Sequence, residues 1–437
     1  MAARIAILGG GYAGMAAAVE LAVAGKEAVV FEAGKVLGGR ARKVALDGRE
    51  LDNGQHLLIG AYRQQLRLMR RVGIDPNVAF LRVPLQLVVE PDFHLRCPKL
   101  PAPLHLVAAL AGVRGLGWLA RWRLIGAIRA AQSAGWRLAT DCPVADWLRQ
   151  NRQPEELVSR FWQPLTVAAL NTPLEKASAQ VLLNILRDSL GGDREASDLL
   201  LPRVDFSALF PEAAARFVSG RGGEIRLGMM IKSLRRDAGG WQVGESDERF
   251  AAVICALPPH RAGMVLRGLP QLAGLADQLE TWEYQPIVTV YLQYAAEVRL
   301  PRPMTGLADS LAQWVFDRSY THDTPGLIAV VISAEGSHLQ WPREALIDAV
   351  EAELHARLGL PAQAGWRGMI AEKRATFACV PAMARPGNAT AEPGLWLAGD
   401  YTAGIGRDYP ATLEGAVRSG VAAADGLLKK LLLINKL

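Results

Sequence analysis

A chain of 437 residues, 50% hydrophobic and 21% charged, is too long for one simple core and has the composition of a globular protein of two or three domains. Its four cysteines, Cys97, Cys142, Cys255 and Cys379, are too far apart for a zinc cluster or a disulfide framework, and its seven histidines show no HExxH-type spacing, so metal catalysis has no support. The net charge of +6 admits nucleic acid or an anionic membrane surface as a partner, and its distribution along the chain decides between them.

The chain opens Met-Ala-Ala-Arg-Ile-Ala-Ile-Leu-Gly. One basic residue and a short apolar run pass straight into a glycine turn, so no signal peptide is expected and the protein is expected in the cytoplasm. Arg4 to Leu8 has the length of a strand, Met15 to Ala24 reads as a small-residue helix, and Ala28 to Phe31 reads as a second strand ending at Glu32. Between the first strand and the helix stands Gly9-Gly10-Gly11-Tyr12-Ala13-Gly14, in which Gly9, Gly11 and Gly14 fill a GxGxxG pattern. Gly9 permits the tight turn, Gly11 lets the backbone approach a pyrophosphate, and Gly14 lets the helix pack closely on the strand. The pyrophosphate is expected at the helix N-terminus, beside Tyr12 and Ala13, on free N–H groups and the positive end of the dipole. Glu32, 18 residues after Gly14, stands where an acid accepts hydrogen bonds from ribose hydroxyls and repels a ribose phosphate, which disfavours NADP. A looser match, Gly115-Leu-Gly-Trp-Leu-Ala120, has no strand before it and no acid at the right distance, and is set aside.

From Phe93 to Thr140 there is no Asp or Glu, while Arg96, Lys99, Arg114, Arg121, Arg123, Arg129 and Arg137 are interleaved with apolar residues. The longest uncharged run, Leu100 to Val113, is too short to span a bilayer. Basic and apolar residues mixed in this way describe a segment lying in a membrane interface, so an anionic membrane surface and no nucleic acid is the expected partner. The plainer alternative is a buried helix pair with a solvated basic edge. Residues 95 to 200 are mostly helical by pattern. Gly222 to Ile231 reads as strand, turn and strand, and Ala252 to Leu257 as a buried strand stopped by Pro258 and Pro259. Ile287 to Leu292 and Leu327 to Ile332 are apolar runs of sheet length. Leu395 to Ala398 reads as a strand ended by Gly399-Asp400, and Pro410 suits the first turn of a helix. The tail from Leu427 reads equally as a final helical turn or a second membrane contact.

Leu37-Gly38-Gly39-Arg40, Asp52-Asn53-Gly54-Gln55-His56, Gly394 to Asp400 and Tyr409 to Val417 together resemble the motifs of the amine oxidase and carotenoid desaturase superfamily of FAD enzymes. The resemblance implies FAD rather than NAD, and an α/β fold. It implies a discontinuous Rossmann-type FAD domain made from residues 1–75, 215–275 and 375–437. It also implies an α+β substrate domain, residues 76–214 and 276–374, with a helical membrane-facing part. By the same resemblance Gly39, Arg40, Gly54, Gln55 and His56 lie at the flavin, and the backbone near Ile231 lies at the adenine. Gly399 and Asp400 serve the ribityl chain or a phosphate-side hydroxyl. Ala411, Thr412 and Leu413 meet the pyrimidine edge, where a helix N-terminus stabilises negative charge on the reduced ring.

Segments outside these motifs are similar to the squalene-associated FAD enzymes of bacterial hopanoid synthesis: Phe161 to Pro173, Leu199 to Asp205, Tyr284 to Tyr291, Gln313 to Arg318 and Glu372 to Phe377. One departure is the loop Thr402 to Tyr409, which is longer than that family's usual link. The resemblance implies reductive removal of an allylic hydroxyl from hydroxysqualene, giving squalene, with hydride from reduced flavin. One nucleotide fold and no second site for NAD(P)H imply an external electron donor. Hydroxide is a poor leaving group, so an acid should assist. Asp317 and His56 are the catalytic candidates. The plainer alternatives are an ion pair from Asp317 to Arg318 or Arg203, and a cofactor-positioning hydrogen bond from His56; a water is a third source of the proton. Rival readings are a carotenoid (phytoene-type) desaturase, a polyamine or amino-acid oxidase, and a flavin-stabilised triterpene carrier without chemistry. Since a hydrocarbon gains ~0.8 kcal/mol per CH₂ on leaving water, the enzyme is expected to dock peripherally on the inner face of the membrane. It would then take substrate through a mouth near Leu100 to Ile128.

Overall fold

The computed structural model describes residues 4–404 and 406–434. Strand β1 (Ile5–Leu8) is wholly buried, and helix α1 (Tyr12–Val23) and strand β2 (Ala28–Glu32) follow it. The helix begins at Tyr12, three residues before the expected start. Strands β3 (Glu224–Leu227), β4 (Ala252–Cys255) and β5 (Leu395–Leu397) complete a parallel sheet of order β3-β2-β1-β4-β5. Three distant stretches of chain therefore build one sheet. Its central strands read as unbroken apolar runs because helices cover both faces. α1 packs against the last helix (Leu413–Ile434) so closely that a Cβ on Gly420 would meet Ala13 O at 2.1 Å. Leu427 to Ile434 belong to that helix.

Two local expectations are corrected. Gly222 to Ile231 holds one strand, not two. Past Leu227 the chain bonds to the end of β2, with Gly228 N–H and Met229 N–H donating to Gly34 O and Glu32 O. The next strand, Leu234–Asp237, opens a separate antiparallel three-stranded sheet. Pro410 lies outside the last helix, which starts at Leu413. Thr412 caps it instead, its Oγ1 accepting from Gly415 N–H at 3.0 Å.

The second layer is a seven-stranded sheet in which Tyr284–Gln293 pairs antiparallel with Leu327–Ser333, the two runs expected from sequence. Strand period two sorts its side chains. Val288, Val290, Val330 and Ile332 pack on Leu346, Val350 and Leu354 of the helix Arg343–Leu358. The alternate residues, among them Ile287, Val331, Trp314 and Phe316, line a cavity between the two sheets. The helices Gln163–Leu170 and Ala179–Leu190 help to close that cavity. Among the described residues, no helix is long and apolar enough to cross a membrane.

Candidate active site

The cavity has a volume of about 1000 Å³ and runs from the β1–α1 turn to the far wall of the seven-stranded sheet. At the end beside the β1–α1 turn two glycines are demanded by packing. Gly9 has φ +105° and its Cβ would meet Ala256 O at 2.8 Å, while a Cβ on Gly14 would meet Gly9 O at 2.0 Å. Gly14 does not line the cavity. Gly11 is different. Its φ is −78°, and the nearest atom to its Cβ would be Gly39 Cα at 3.7 Å. No protein atom forbids a side chain there, so the space in front of Gly11 is a cradle that a Cβ would fill. α1 starts at this point without a side-chain cap, which leaves its first-turn N–H groups, at Tyr12 and Ala13, on the cavity wall. The Tyr12 phenol is turned into the core, donating to Phe206 O at 2.8 Å. Glu32 Oε2 accepts from Gly10 N–H and Oε1 from Gly34 N–H, both at 2.7 Å. Each oxygen keeps lone-pair capacity for a hydroxyl. Ile231 lines the same end.

Deeper in, Arg40 links two segments that are 360 residues apart in sequence. Its Nη1 donates to Ala375 O at 2.8 Å and its Nη2 to Asp400 Oδ2 at 2.5 Å. The other oxygen, Asp400 Oδ1, is buried and has no protein partner. Gly39 packs on Gly11, and Gly399 on the ring of Tyr401. Ala411, Thr412 and Leu413 bring the N-terminus of the last helix to the cavity wall, and Gly54, Gln55 and His56 line it as well. An uncapped helix N-terminus, an open glycine cradle and an unpartnered buried carboxylate oxygen fit the pyrophosphate and hydroxyls of a dinucleotide.

His56 is partly open to the cavity, with Nδ1 2.8 Å from Gly54 O and its ring against Phe206. That carbonyl requires the proton on Nδ1, so Nε2 is left as an acceptor. Burial, and then the Arg40 charge, holds the imidazole below its ordinary pKa. A neutral His56 has no proton on Nε2 to give. Asp317 is not brought to the cavity at all. Its neighbours Trp314 and Phe316 line the wall, whereas its carboxylate faces away and accepts from Leu300 N–H at 2.8 Å and Ser319 N–H at 2.9 Å. Nor does it form the ion pair considered for it: Arg203 is exposed, and Arg318 Nη1 instead reaches Asp52 Oδ2 at 3.1 Å and Gln55 Oε1 at 2.7 Å.

That Arg318–Asp52–Gln55 cluster was not legible beforehand. Burial lifts the Asp52 carboxyl above its ordinary range against the pull of Arg318, and Asp52 Oδ1 also accepts from Phe206 N–H at 3.0 Å. A second unforeseen residue is Asn171, at the end of the helix Gln163–Leu170 with φ +48°. Its Oδ1 accepts from Ala334 N–H at 2.7 Å and its Nδ2 donates to Thr376 Oγ1 at 2.9 Å, which joins three walls of the cavity. The sequence signal for it was an Asn directly after a helical run, where a left-handed cap is common. The far half of the cavity is apolar, walled by Leu87, Leu95, Phe161, Leu165, Trp314 and Phe316. Phe161 sits on a single π-helical turn, Val158–Trp162, of the kind that often re-aims side chains at functional sites.

The comparisons with known proteins agree with this geometry. Residues 12–428 match the family of flavin containing amine oxidoreductases. A hydroxysqualene dehydroxylase of Rhodopseudomonas palustris is 31% identical, over 98% of this chain and 99% of that one. Another, from Sinorhizobium fredii, is 29% identical over 97% and 98%. Among solved structures, a putative protoporphyrinogen oxidase from Exiguobacterium sp. 255-15 superposes with a TM-score of 0.70 at 17% identity, covering 98% of this chain and 99% of that one.

Proposed function

This chain belongs to the flavin containing amine oxidoreductases, and from that premise we propose that it uses FAD to remove the allylic hydroxyl of hydroxysqualene, giving squalene. One observation carries the reading: a dinucleotide groove opens without interruption into an apolar tunnel, in a chain alike end to end with two hydroxysqualene dehydroxylases. When bound in its reduced form, FAD supplies a hydride. The chain supplies the rest. Gly11 and the first turn of α1 take the pyrophosphate, and Glu32 the ribose hydroxyls. Arg40 holds Asp400 in place for a hydroxyl of the cofactor, and Ala411 to Leu413 meet the flavin. The apolar wall excludes water from the reacting carbon. Residues 1–75, 215–275 and 375–437 form the FAD-binding part in this reading, and the two intervening stretches form the substrate part. The single dinucleotide turn supports an external electron donor. Mass analysis of the product after anaerobic mixing of reduced protein with hydroxysqualene tests the assignment. Squalene formed in step with flavin oxidation supports it. Bleaching of oxidised flavin by a phytoene-like polyene would instead make the protein a desaturase. Bound lipid left unchanged by reduced protein would make it a carrier.

Substrate of this kind is taken from a membrane, and the helices Leu104–Ala111 and Trp118–Ser133 are the docking surface in this reading. Leu104, Val107, Leu119, Trp118 and Trp122 are exposed on them, the two tryptophans at 74% and 62%. Exposed apolar side chains grouped on neighbouring helices are unusual on a protein that meets only water. Arg96, Lys99, Arg114 and Arg129 are exposed nearby and suit anionic headgroups. Arg121 is withdrawn from that set. Its guanidinium donates to Leu116 O, Ala111 O and Val113 O at 2.7–3.2 Å, tying the end of one helix to the start of the next.

A further inference from the structure

The dehydroxylation needs a proton for the departing oxygen, and neither sequence candidate can supply it as placed: His56 carries its proton toward Gly54, and Asp317 is outside the cavity. The remaining acids on the cavity wall are mostly committed. Both oxygens of Glu32 accept main-chain N–H groups. Asp400 is paired with Arg40. Glu372 accepts from Asn53. Glu414 is held by Gln64 N–H, Gln65 N–H and Arg418. Tyr12 donates to Phe206 O, and Tyr401 is fully enclosed, with no surface left for a substrate to touch.

One pair is left. Tyr409 stands two residues before Ala411, at the entrance to the last helix, and its hydroxyl donates to Asp188 Oδ2 at 2.5 Å. Asp188 projects from the helix Ala179–Leu190, whose Ile185 and Leu186 form part of the apolar wall. Both members of the pair line the cavity and both are half-buried. The pair thus bridges the flavin-side loop and the tunnel. The long loop before Tyr409 is what brings them together: Asp408 O accepts from Asn184 Nδ2 at 3.0 Å on the same helix.

We infer that the Tyr409 hydroxyl is the proton donor to the departing hydroxyl of the substrate and that Asp188 positions it: its proton rests toward Asp188, but a half-buried hydroxyl can turn about its C–O bond to the substrate oxygen, as the ring N–H of His56 and the buried hydroxyl of Tyr12 cannot. The inference rests on the dehydroxylation reading. In the step, the allylic C–O bond breaks and a C–H bond forms with the hydride of the reduced flavin. The carbon is reduced, the flavin is oxidised, and the Tyr409 proton leaves with the oxygen as water. Two cations flank the phenolate that this creates. Arg187 Nη2 is 3.4 Å from Tyr409 Oη and also pairs with Asp188, and the Arg418 guanidinium lies 5.1 Å from the Tyr409 ring centre. Preorganised positive charge of this kind favours the state in which the proton has gone. Burial, and then Asp188, raises the phenol above its ordinary pKa. It therefore holds its proton at neutral pH and passes it on as the C–O bond breaks and negative charge develops on the departing oxygen. The half-exposed edge of the pair allows the proton to be replaced from solvent.

Two measurements on the FAD-loaded protein test this. The oxidised enzyme cannot reduce its substrate, so binding is read alone. Wild type should bind hydroxysqualene more tightly than squalene, and Tyr409→Phe should lose most of that preference. Second, pre-reduced Tyr409→Phe should be reoxidised by hydroxysqualene at least ~100-fold more slowly than wild type. The acetate ester of the same alcohol, whose leaving group needs no proton, should reoxidise the two proteins at rates within a few-fold of each other. Asp188→Asn should move the pH profile of the hydroxysqualene rate, and Asp188→Glu should restore it. An unchanged binding preference, or an equal loss with alcohol and ester, would overturn the role of Tyr409. Failure of wild type itself to convert hydroxysqualene would instead remove the dehydroxylation reading.

Discussion

Gly11 and Gly14 lie three residues apart in one motif, and the structure predicts opposite consequences for the same substitution at each. In Gly14→Ala the new methyl would sit 2.0 Å from Gly9 O and 3.2 Å from Ala256 Cβ. The backbone oxygen cannot swing aside, so α1 must lift from β1, at an overpacking cost of about 1–3 kcal/mol. In Gly11→Ala the methyl meets nothing closer than 3.7 Å, and the residue already has φ −78°. An alanine there gains ~0.4–1 kcal/mol from the restricted unfolded chain and loses a comparable amount as a poorer N-cap. The flavin-free protein should therefore keep its stability within about 1 kcal/mol. Its methyl occupies the pyrophosphate cradle, so cofactor affinity should drop by ~10–100-fold, the range that about 1–3 kcal/mol of overpacking produces. Urea unfolding of both flavin-free variants, with FAD titration by flavin fluorescence, separates the two effects. Wild-type FAD affinity in Gly11→Ala would refute the placement of the pyrophosphate at this turn.

Asp400→Asn keeps the shape of the site but leaves Arg40 without its ion-pair partner; FAD retention should fall by ~10-fold or more, as for loss of a charge-assisted hydrogen bond, and equal retention on gel filtration would count against Asp400 as a cofactor ligand. Burial, and then Arg318, pushes His322 down to about 3. A histidine depressed by folding is held neutral in the native state, so its contribution is complete above pH ~6.5 and is lost as pH falls toward 3. By pH 5 this amounts to about 1–2 kcal/mol after allowance for partial exposure, and His322→Gln should flatten the fall in urea midpoint between pH 7 and pH 5. Changing Trp118, Leu119 and Trp122 together to Ser should lower binding to phosphatidylglycerol vesicles by at least ~100-fold, at ~1.5–3 kcal/mol for each large apolar side chain; co-sedimentation at the wild-type level would remove these helices as the docking surface.

Much of the nucleotide end was legible because its requirements are local. A strand, a glycine turn, a small-residue helix and an acid at the end of the next strand are set by backbone sterics within some 30 residues, and Gly9, Gly14 and Glu32 show those sterics directly. The strands Ala252–Cys255 and Leu395–Leu397 were legible as apolar runs, since a parallel strand between two helix layers has no polar face to disguise it, whereas Glu224–Leu227, at the sheet edge, carries two charged residues. What could not be read was any pairing of side chains across the cavity. Arg318 looked like a neighbour for Asp317, yet strand alternation turns Asp317 out of the cavity and lets the next residue reach back to Asp52. The start of the last helix was misjudged for a related reason: Pro410 fits a first turn, but Thr412 caps the helix through a side-chain bond that proline cannot make.

The acid-free stretch shows how a correct pattern can carry the wrong emphasis. Read as charge, it made its seven basic residues, Arg121 among them, the natural contacts for a membrane. In the fold, Arg121 is taken up by three main-chain carbonyls, and Arg160 donates to Gly115 O, so arginines here also hold the helices in place. A cation directed at carbonyls cannot at the same time meet a lipid headgroup. Among the residues that do face outward, Trp118 and Trp122 are apolar, and apolar burial is far less sensitive to salt than attraction between exposed charges. Within the stretch itself no carboxylate competes with the carbonyls for Arg121. In the docking proposed above, these two helices would meet the hydrocarbon boundary, and a triterpene would pass from bilayer to a tunnel whose apolar wall includes Phe161 and Leu95 without having to be solvated.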